Sequence, residues 1–162
     1  MIGVAVVADL IAKRVGGVPP REAYLAGLLH DLGWILIDQY LHKPFCRVLD
    51  RLSEDCDVCE LEFETLGFNH GELGEFVASK WNLPEHLIAT IRHHHAPLEY
   101  DGEHKNLVNV VSLANFLCHL KGYSSLGVPN KIMPPIELFA ELRMNDAMVA
   151  EIWKQLDDVL QS

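Results

Sequence analysis

Apolar residues recur every three to four positions along the chain, in segments interrupted by glycine and proline, a pattern that predicts helices throughout. Val4–Val15 is apolar enough for a buried helix, and Gly16–Gly17 closes it as glycines past a last turn do. After the Val18-Pro19-Pro20 connection, Arg21–Tyr40 reads as one central helix. Its expected buried stripe is Leu25, Leu28, Leu29, Leu32, Ile35 and Leu36, with His30–Asp31 set into the middle. His42–Cys59 predicts one or two helices carrying Phe45, Val48, Leu49 and Leu52, and Leu61–Phe68 a further one with Phe63 and Leu66. Asn69-His70-Gly71-Glu72 has the grammar of a capping box, after which Leu73, Phe76, Val77 and Trp81 mark a helix face.

Pro84 suits the first position of the next helix, and Pro97 stops it. The apolar positions Leu87, Ile88 and Ile91 are continued at helical spacing by His94 and His95, which therefore turn toward the core. His93 and His86 fall off that face and are expected to be exposed. Asn106–Leu120 carries Val108, Val111, Ser112, Asn115 and His119 along one side. A long loop, Gly122–Pro134, leads to helices at Pro135–Leu142 and Asn145–Leu160, the last burying Met148, Val149, Ile152, Leu156, Val159 and Leu160. No segment alternates with period two. The expected architecture is all-α, a single-domain bundle of about seven to eight helices.

With 162 residues, 49% of them hydrophobic, the chain has ample material for one core. Its 13 basic and 23 acidic residues give a net charge of −10, and no basic stripe gathers on any segment, which argues against direct nucleic-acid binding. No apolar run reaches the ~18–20 residues of a membrane span, and Met1–Leu10 lacks the basic flank of a signal peptide. A reducing cytoplasm is the expected setting for the four cysteines. Cys56 and Cys59 form a C-x-x-C without a second pair, and acidic neighbours Asp55, Asp57 and Glu60 disfavour a reactive thiolate.

The nine histidines change the picture more than the charge does. His30-Asp31, His70, His94-His95 and Asn115 sit on four separate helical segments, at ends or on inward faces. Gathered in a bundle core they would offer imidazole nitrogens, a carboxylate and an amide oxygen, a donor set that suits Fe, Mn, Ni or Zn. Competition with protons is then expected to weaken ion binding below pH ~6.5, near the ordinary imidazole pKa.

The stretches GLLHDLG, NHGELGEFVASKWNLPEHLIATIRHHHAP and VSLAN resemble the HD superfamily, and most closely its HDOD branch, over roughly Ala5 to Leu120. The resemblance implies an HD-like helical bundle. It places the family's metal-ligand pattern on His30, Asp31, His70, His94 and His95, and it puts Asn115 where catalytic members carry an aspartate. The family's early histidine has no counterpart, since no histidine precedes His30, so the chain looks like the C-terminal portion of such a domain or a truncated relative. HDOD domains are generally regarded as regulatory parts of bacterial signalling proteins. The resemblance therefore implies a non-catalytic signalling domain with protein partners and a histidine cluster able to hold a divalent metal. The alternative is a metal-dependent phosphohydrolase acting on a nucleotide or cyclic dinucleotide, for which Arg92 and Lys80 would be the candidate phosphate contacts.

Overall fold

A computed structural model of the chain describes residues 1–128 and 132–158, with helical backbone continuing to 161. The middle of the expected 122–134 loop and the side chains of Val159 and Leu160 lie outside that description. Nine α-helices occur among the described residues: α1 (Ile2–Val15), α2 (Pro20–Leu29), α3 (Leu32–Arg51), α4 (Val58–Leu66), α5 (His70–Lys80), α6 (Glu85–His93), α7 (Lys105–Leu120), α8 (Ile136–Glu141) and α9 (Asp146–Gln161). A single 3₁₀ turn, Pro97–Glu99, follows α6, and no strand occurs among these residues. None of the helices is long and apolar enough to cross a membrane.

The axis of the fold is α7. It packs against α1, α2 and α6, and eleven of its residues are buried, from Leu107 to Cys118. Around it, α1, α2, α8 and α9 close the larger core through Val7, Ile11, Leu113, Leu138, Ile152 and Leu156. A second core of Trp34, Ile37, Phe45, Val48, Val58 and Leu61 joins α3 to α4. Leu32, Ala78 and Ile91 bridge α3, α5 and α6 between them.

The expected central helix is broken. Its two halves, α2 and α3, are separated by His30 and Asp31, and Asp31 takes φ −95°, ψ 22°. A two-residue break resets the helical phase, so positions before and after it no longer share a face. Leu25 is 43% exposed and Ile35 47% exposed, against the single stripe expected of them. The face of α2 that is buried carries Ala23, Ala26 and Gly27 instead, because α1 lies too close for anything larger. A Cβ on Gly27 would come within 2.9 Å of the Ala5 Cα.

A helix starting at His42 is likewise replaced by the second half of α3. Pro44 lacks an amide hydrogen and crowds the carbonyl four residues back, and the chain bends at Leu41 (φ −130°, ψ 36°). In α5, Phe76 and Trp81 point outward, and the buried face consists of His70, Gly71, Gly74 and Ala78. Small residues again mark the faces where helices approach closely.

Candidate metal centre

Three helix ends meet at one point. The C-terminus of α2 delivers His30 and Asp31, the N-terminus of α5 delivers His70, and the C-terminus of α6 delivers His94 and His95. The capping box expected for α5 is present: the Glu72 amide donates to Asn69 Oδ1 at 3.0 Å and the Asn69 amide to Glu72 Oε2 at 3.2 Å. That cap fixes where α5 begins, and so where His70 stands. His30, Asp31, His70 and His94 are all buried.

The hydrogen bonds on the outer side of each ring decide what the inner side offers. His30 Nδ1–H donates to the Gly27 carbonyl at 2.7 Å, and His94 Nδ1–H to the Ile91 carbonyl at 3.0 Å. His70 Nδ1–H donates to Glu62 Oε2 at 2.7 Å. Carbonyls and carboxylates only accept, so in each neutral ring the hydrogen is on Nδ1 and Nε2 carries a lone pair. Those lone pairs converge. His70 Nε2 lies 3.3 Å from His94 Nε2, and Asp31 Oδ1 lies 3.5 Å from His94 Nε2 and 3.7 Å from His70 Nε2. Asp31 Oδ2 is 3.0 Å from His30 Nε2 and accepts a hydrogen bond from Ser125 Oγ at 2.8 Å.

Acceptors facing one another at these distances repel unless a positive charge stands between them. Four tetrahedral ligands about 2.1 Å from an ion sit about 3.4 Å from each other, close to the spacing of Asp31, His70 and His94. His95 supplies a further donor atom within 4.8 Å of the others. The residues present therefore fit a divalent ion with imidazole and carboxylate preference, held by Asp31, His70, His94 and His95.

The electrostatics agree. Burial alone pushes the Asp31 carboxyl up, but at low pH, where His30 and His94 carry a proton on the nitrogen facing it, their charge and hydrogen bonds outweigh burial and hold it well below the usual carboxylate range. Burial pushes the His94 imidazole down to about 4 against the pull of Asp31, and burial together with His94 and His70 holds His95 well below its ordinary value. Both rings stay neutral at pH values where a free imidazole is protonated. Proton competition for an ion thus begins well below the pH ~6.5 expected from the ordinary imidazole pKa.

Two residues of the site escaped the sequence reading. Glu62 is fully buried and accepts from Trp34 Nε1–H, from the His70 amide at 2.9 Å and from the His70 ring. It lies on the Val58–Leu61–Glu62 face of α4, at spacing i, i+3, i+4, which was the available signal. Ser125 comes from the α7–α8 loop, ninety-four residues from Asp31 in sequence, and no local pattern marks it. Because a carboxylate behind a ligating imidazole sets its tautomer and basicity, Glu62→Gln is expected to weaken ion affinity about 10–100-fold, read by calorimetric titration of Mn or Zn. Unchanged affinity would remove Glu62 from the site.

The other candidates are placed differently. His86 and His93 are half-buried rather than exposed, His86 facing the His104 ring at 5.9 Å and His93 the Tyr100 ring at 4.9 Å, because the turn after α6 folds back over them. Asn115 is buried on α7 and lines a small cavity with His95 and His119. Lys80 stands at the far end of α5 from His70, over the Phe76 ring. Arg92 is paired with Glu72 and Glu75 at 3.3 and 3.2 Å. A cavity of about 410 Å³ opens beside His95, lined by Arg92 but also by Asp57 and Glu99, with Phe116, Met133 and Pro135 as apolar wall. In the C-x-x-C segment, burial pushes the Cys59 thiol up, and Glu62 and Asp57 push it further, so it is no thiolate.

The sequence pattern of the HDOD domain family matches residues 1–97. An uncharacterized protein of Treponema pallidum (strain Nichols) is 31% identical over 96 residues, 58% of this chain and 18% of that protein. A crystal structure of an HDOD domain protein with unknown function from Geobacter sulfurreducens superposes with a TM-score of 0.71 at 28% identity, over 98% of this chain and 60% of that one. A Marinobacter aquaeolei VT8 protein provisionally assigned to signal transduction shares the fold, with a TM-score of 0.82 at 23% identity, over 99% of this chain and 35% of that one. The chain thus spans less than two thirds of each of these relatives.

Proposed function

The chain belongs to the HDOD domain family, and from that premise we propose that it is a regulatory signal-transduction domain whose histidine–aspartate centre holds a divalent ion without turning over phosphoesters. The charge of the neighbouring cavity carries this reading. Among the described residues, a phosphoester approaching His95 meets the carboxylates Asp57 and Glu99, and the guanidinium of Arg92 is already bound by Glu72 and Glu75. Phosphoryl transfer needs positive charge on the transferring group, and a wall of this sign repels it. A bound divalent ion supplies Lewis acidity and an activated water in enzymes of this general kind. Here Asn115, on the cavity beside His95, carries no formal charge, while Glu62, Ser125 and the capped α5 terminus hold His70 and Asp31 in place. Protein partners in a signalling pathway are part of this proposal, supported by the signal-transduction assignment of a structural neighbour.

The test joins a melting series to an activity assay. Because an ion that binds only the folded chain stabilises by mass action, about 2.7 kcal/mol at a hundredfold excess over Kd, Mn, Fe, Ni or Zn is expected to raise Tm by several degrees. His94→Ala is expected to abolish the rise. A generic phosphodiester with Mn or Fe is expected to stay intact. Metal-dependent turnover by the unmodified chain that disappears in His30→Ala would establish the phosphohydrolase reading instead. Turnover appearing only in Asn115→Asp would mark a disabled enzyme and support the regulatory one.

A further inference from the structure

Away from the centre, α3 carries Asp38, His42 and Cys46 at successive i, i+4 positions, which on a helix are neighbours. Hydrogen bonds join all three across the bend at Leu41. His42 Nδ1 lies 2.7 Å from Asp38 Oδ1, and His42 Nε2 lies 3.6 Å from Cys46 Sγ. A carboxylate only accepts, so Nδ1–H donates to Asp38. In the neutral ring the Nε2 lone pair then receives the Cys46 S–H. A thiol, a base within reach of its proton and a third group orienting that base are the parts that activate a nucleophile.

The other three cysteines lack this arrangement. Burial pushes the Cys59 thiol up, and the Cys118 thiol up to about 12. Cys56 Sγ meets Ser53 Oγ at 2.9 Å and the Arg51 carbonyl at 3.9 Å, and neither group is a base at neutral pH. Access favours Cys46 as well. It is half-buried, beside His42 and Asp38 side chains that are 69% and 58% exposed, so a small molecule reaches the sulfur without disturbing the core. Cys46 follows Asp31 by fifteen residues, roughly 20 Å of helix at ~1.5 Å each, so its chemistry is separate from that of the ion centre.

We propose that Cys46 is an activated thiol, modified reversibly by low-molecular-weight disulfides, with His42 as its base and Asp38 positioning His42. In the exchange the Cys46 sulfur attacks one sulfur of the disulfide. A bond forms between these two sulfurs as the original S–S bond breaks, and its electron pair leaves with the outer sulfur as a thiolate. The Cys46 proton passes to His42 Nε2 and from there to the departing thiolate. Cys46 is thereby oxidised, the departing sulfur is reduced, and the imidazole returns to its neutral form. Excess thiol reverses the step.

The experiment exposes the full, reduced chain to excess glutathione disulfide, with acid quenching and peptide mass spectrometry to locate each adduct. Cys46 is expected to be modified first, at least about tenfold faster than Cys56, with Cys59 and Cys118 untouched. His42→Ala is expected to slow Cys46 about tenfold, less than the ~10²–10⁴-fold of bases in enclosed sites, and to leave Cys56 unchanged. Asp38→Ala is expected to slow Cys46 to a lesser degree. Asp38→Asn, whose carbonyl still accepts from Nδ1–H, is expected to keep most of the rate. Both positions are on the surface, so circular dichroism of every variant is expected to match the unmodified chain. A Cys46 rate no greater than that of Cys56, or one unchanged in His42→Ala, would overturn the proposal and leave an ordinary row of surface side chains.

Discussion

Gly33→Ala is expected to lower Tm by about 10 °C and to abolish the ion-dependent rise. On helix propensity alone the change should be neutral to mildly stabilising, since Gly33 is the second residue of α3 and the glycine penalty of about 1 kcal/mol belongs to helix interiors. Tertiary contact reverses the sign. A Cβ on Gly33 would meet the His70 carbonyl oxygen at 1.9 Å, its carbonyl carbon at 2.7 Å and its Cα at 2.9 Å. All three are backbone atoms, so no rotamer change relieves the clash, and α3 must move away from α5. Overpacking of this kind costs typically 1–3 kcal/mol and occasionally more, and the upper end applies where only backbone can yield. For a domain of this size each kcal/mol moves Tm by ~2–4 °C. The displacement also carries His70 away from Asp31 and His94, which is why ion binding goes with stability. Thermal melts with and without Mn check both halves. A variant that melts with the unmodified chain and keeps its ion response would show that α3 and α5 are not in this contact.

The metal-free chain is expected to lose stability steeply between pH ~6.5 and ~4. His94 takes a proton near 6.5 in the unfolded chain but only near 4 when buried in the native one. Below ~6.5 the unfolded state therefore binds the extra proton, and the stability present above that pH is lost as the pH falls to the native value. At 1.36 kcal/mol per unit this single ring accounts for on the order of 3 kcal/mol, and His95, shifted in the same direction, adds to it. That is a large share of the ~5–15 kcal/mol by which domains are stable. Asp31 works lower down: its native value is depressed below 3.8, so its contribution is retained through this window and lost beneath it. Urea unfolding at about pH 7 and about pH 4.5 measures the slope, and His94→Asn should flatten it. A stability that does not change across the window would show that these rings are not neutral in the native state.

What the sequence determined by itself was the helical content and the histidines and aspartate that the fold brings together. Period-3.6 patterning, the Asn69–Glu72 cap and the proline and glycine stops are local, and local rules locate helices. The His30-Asp31 and His94-His95 pairs, with His70, could be picked out because buried polar residues stand out against an apolar stripe. What only the tertiary structure decided was which faces meet. Large apolar residues were expected inside, yet Leu25, Ile35 and Phe76 face outward while Ala23, Gly27, Gly33 and Gly74 lie at the contacts. Hydrophobicity ranks a residue by the area it can bury, whereas helix ends can bring four side chains to one point only if backbones nearly touch, and that favours residues with little side chain at all. The same holds for the partners of the centre. Glu62 and Ser125 reach His70 and Asp31 from other elements of the fold, and the phase break at His30–Asp31 is set by packing on both sides of it. Distance along the chain carries no trace of such meetings, because they are created by the packing of elements that each formed for local reasons.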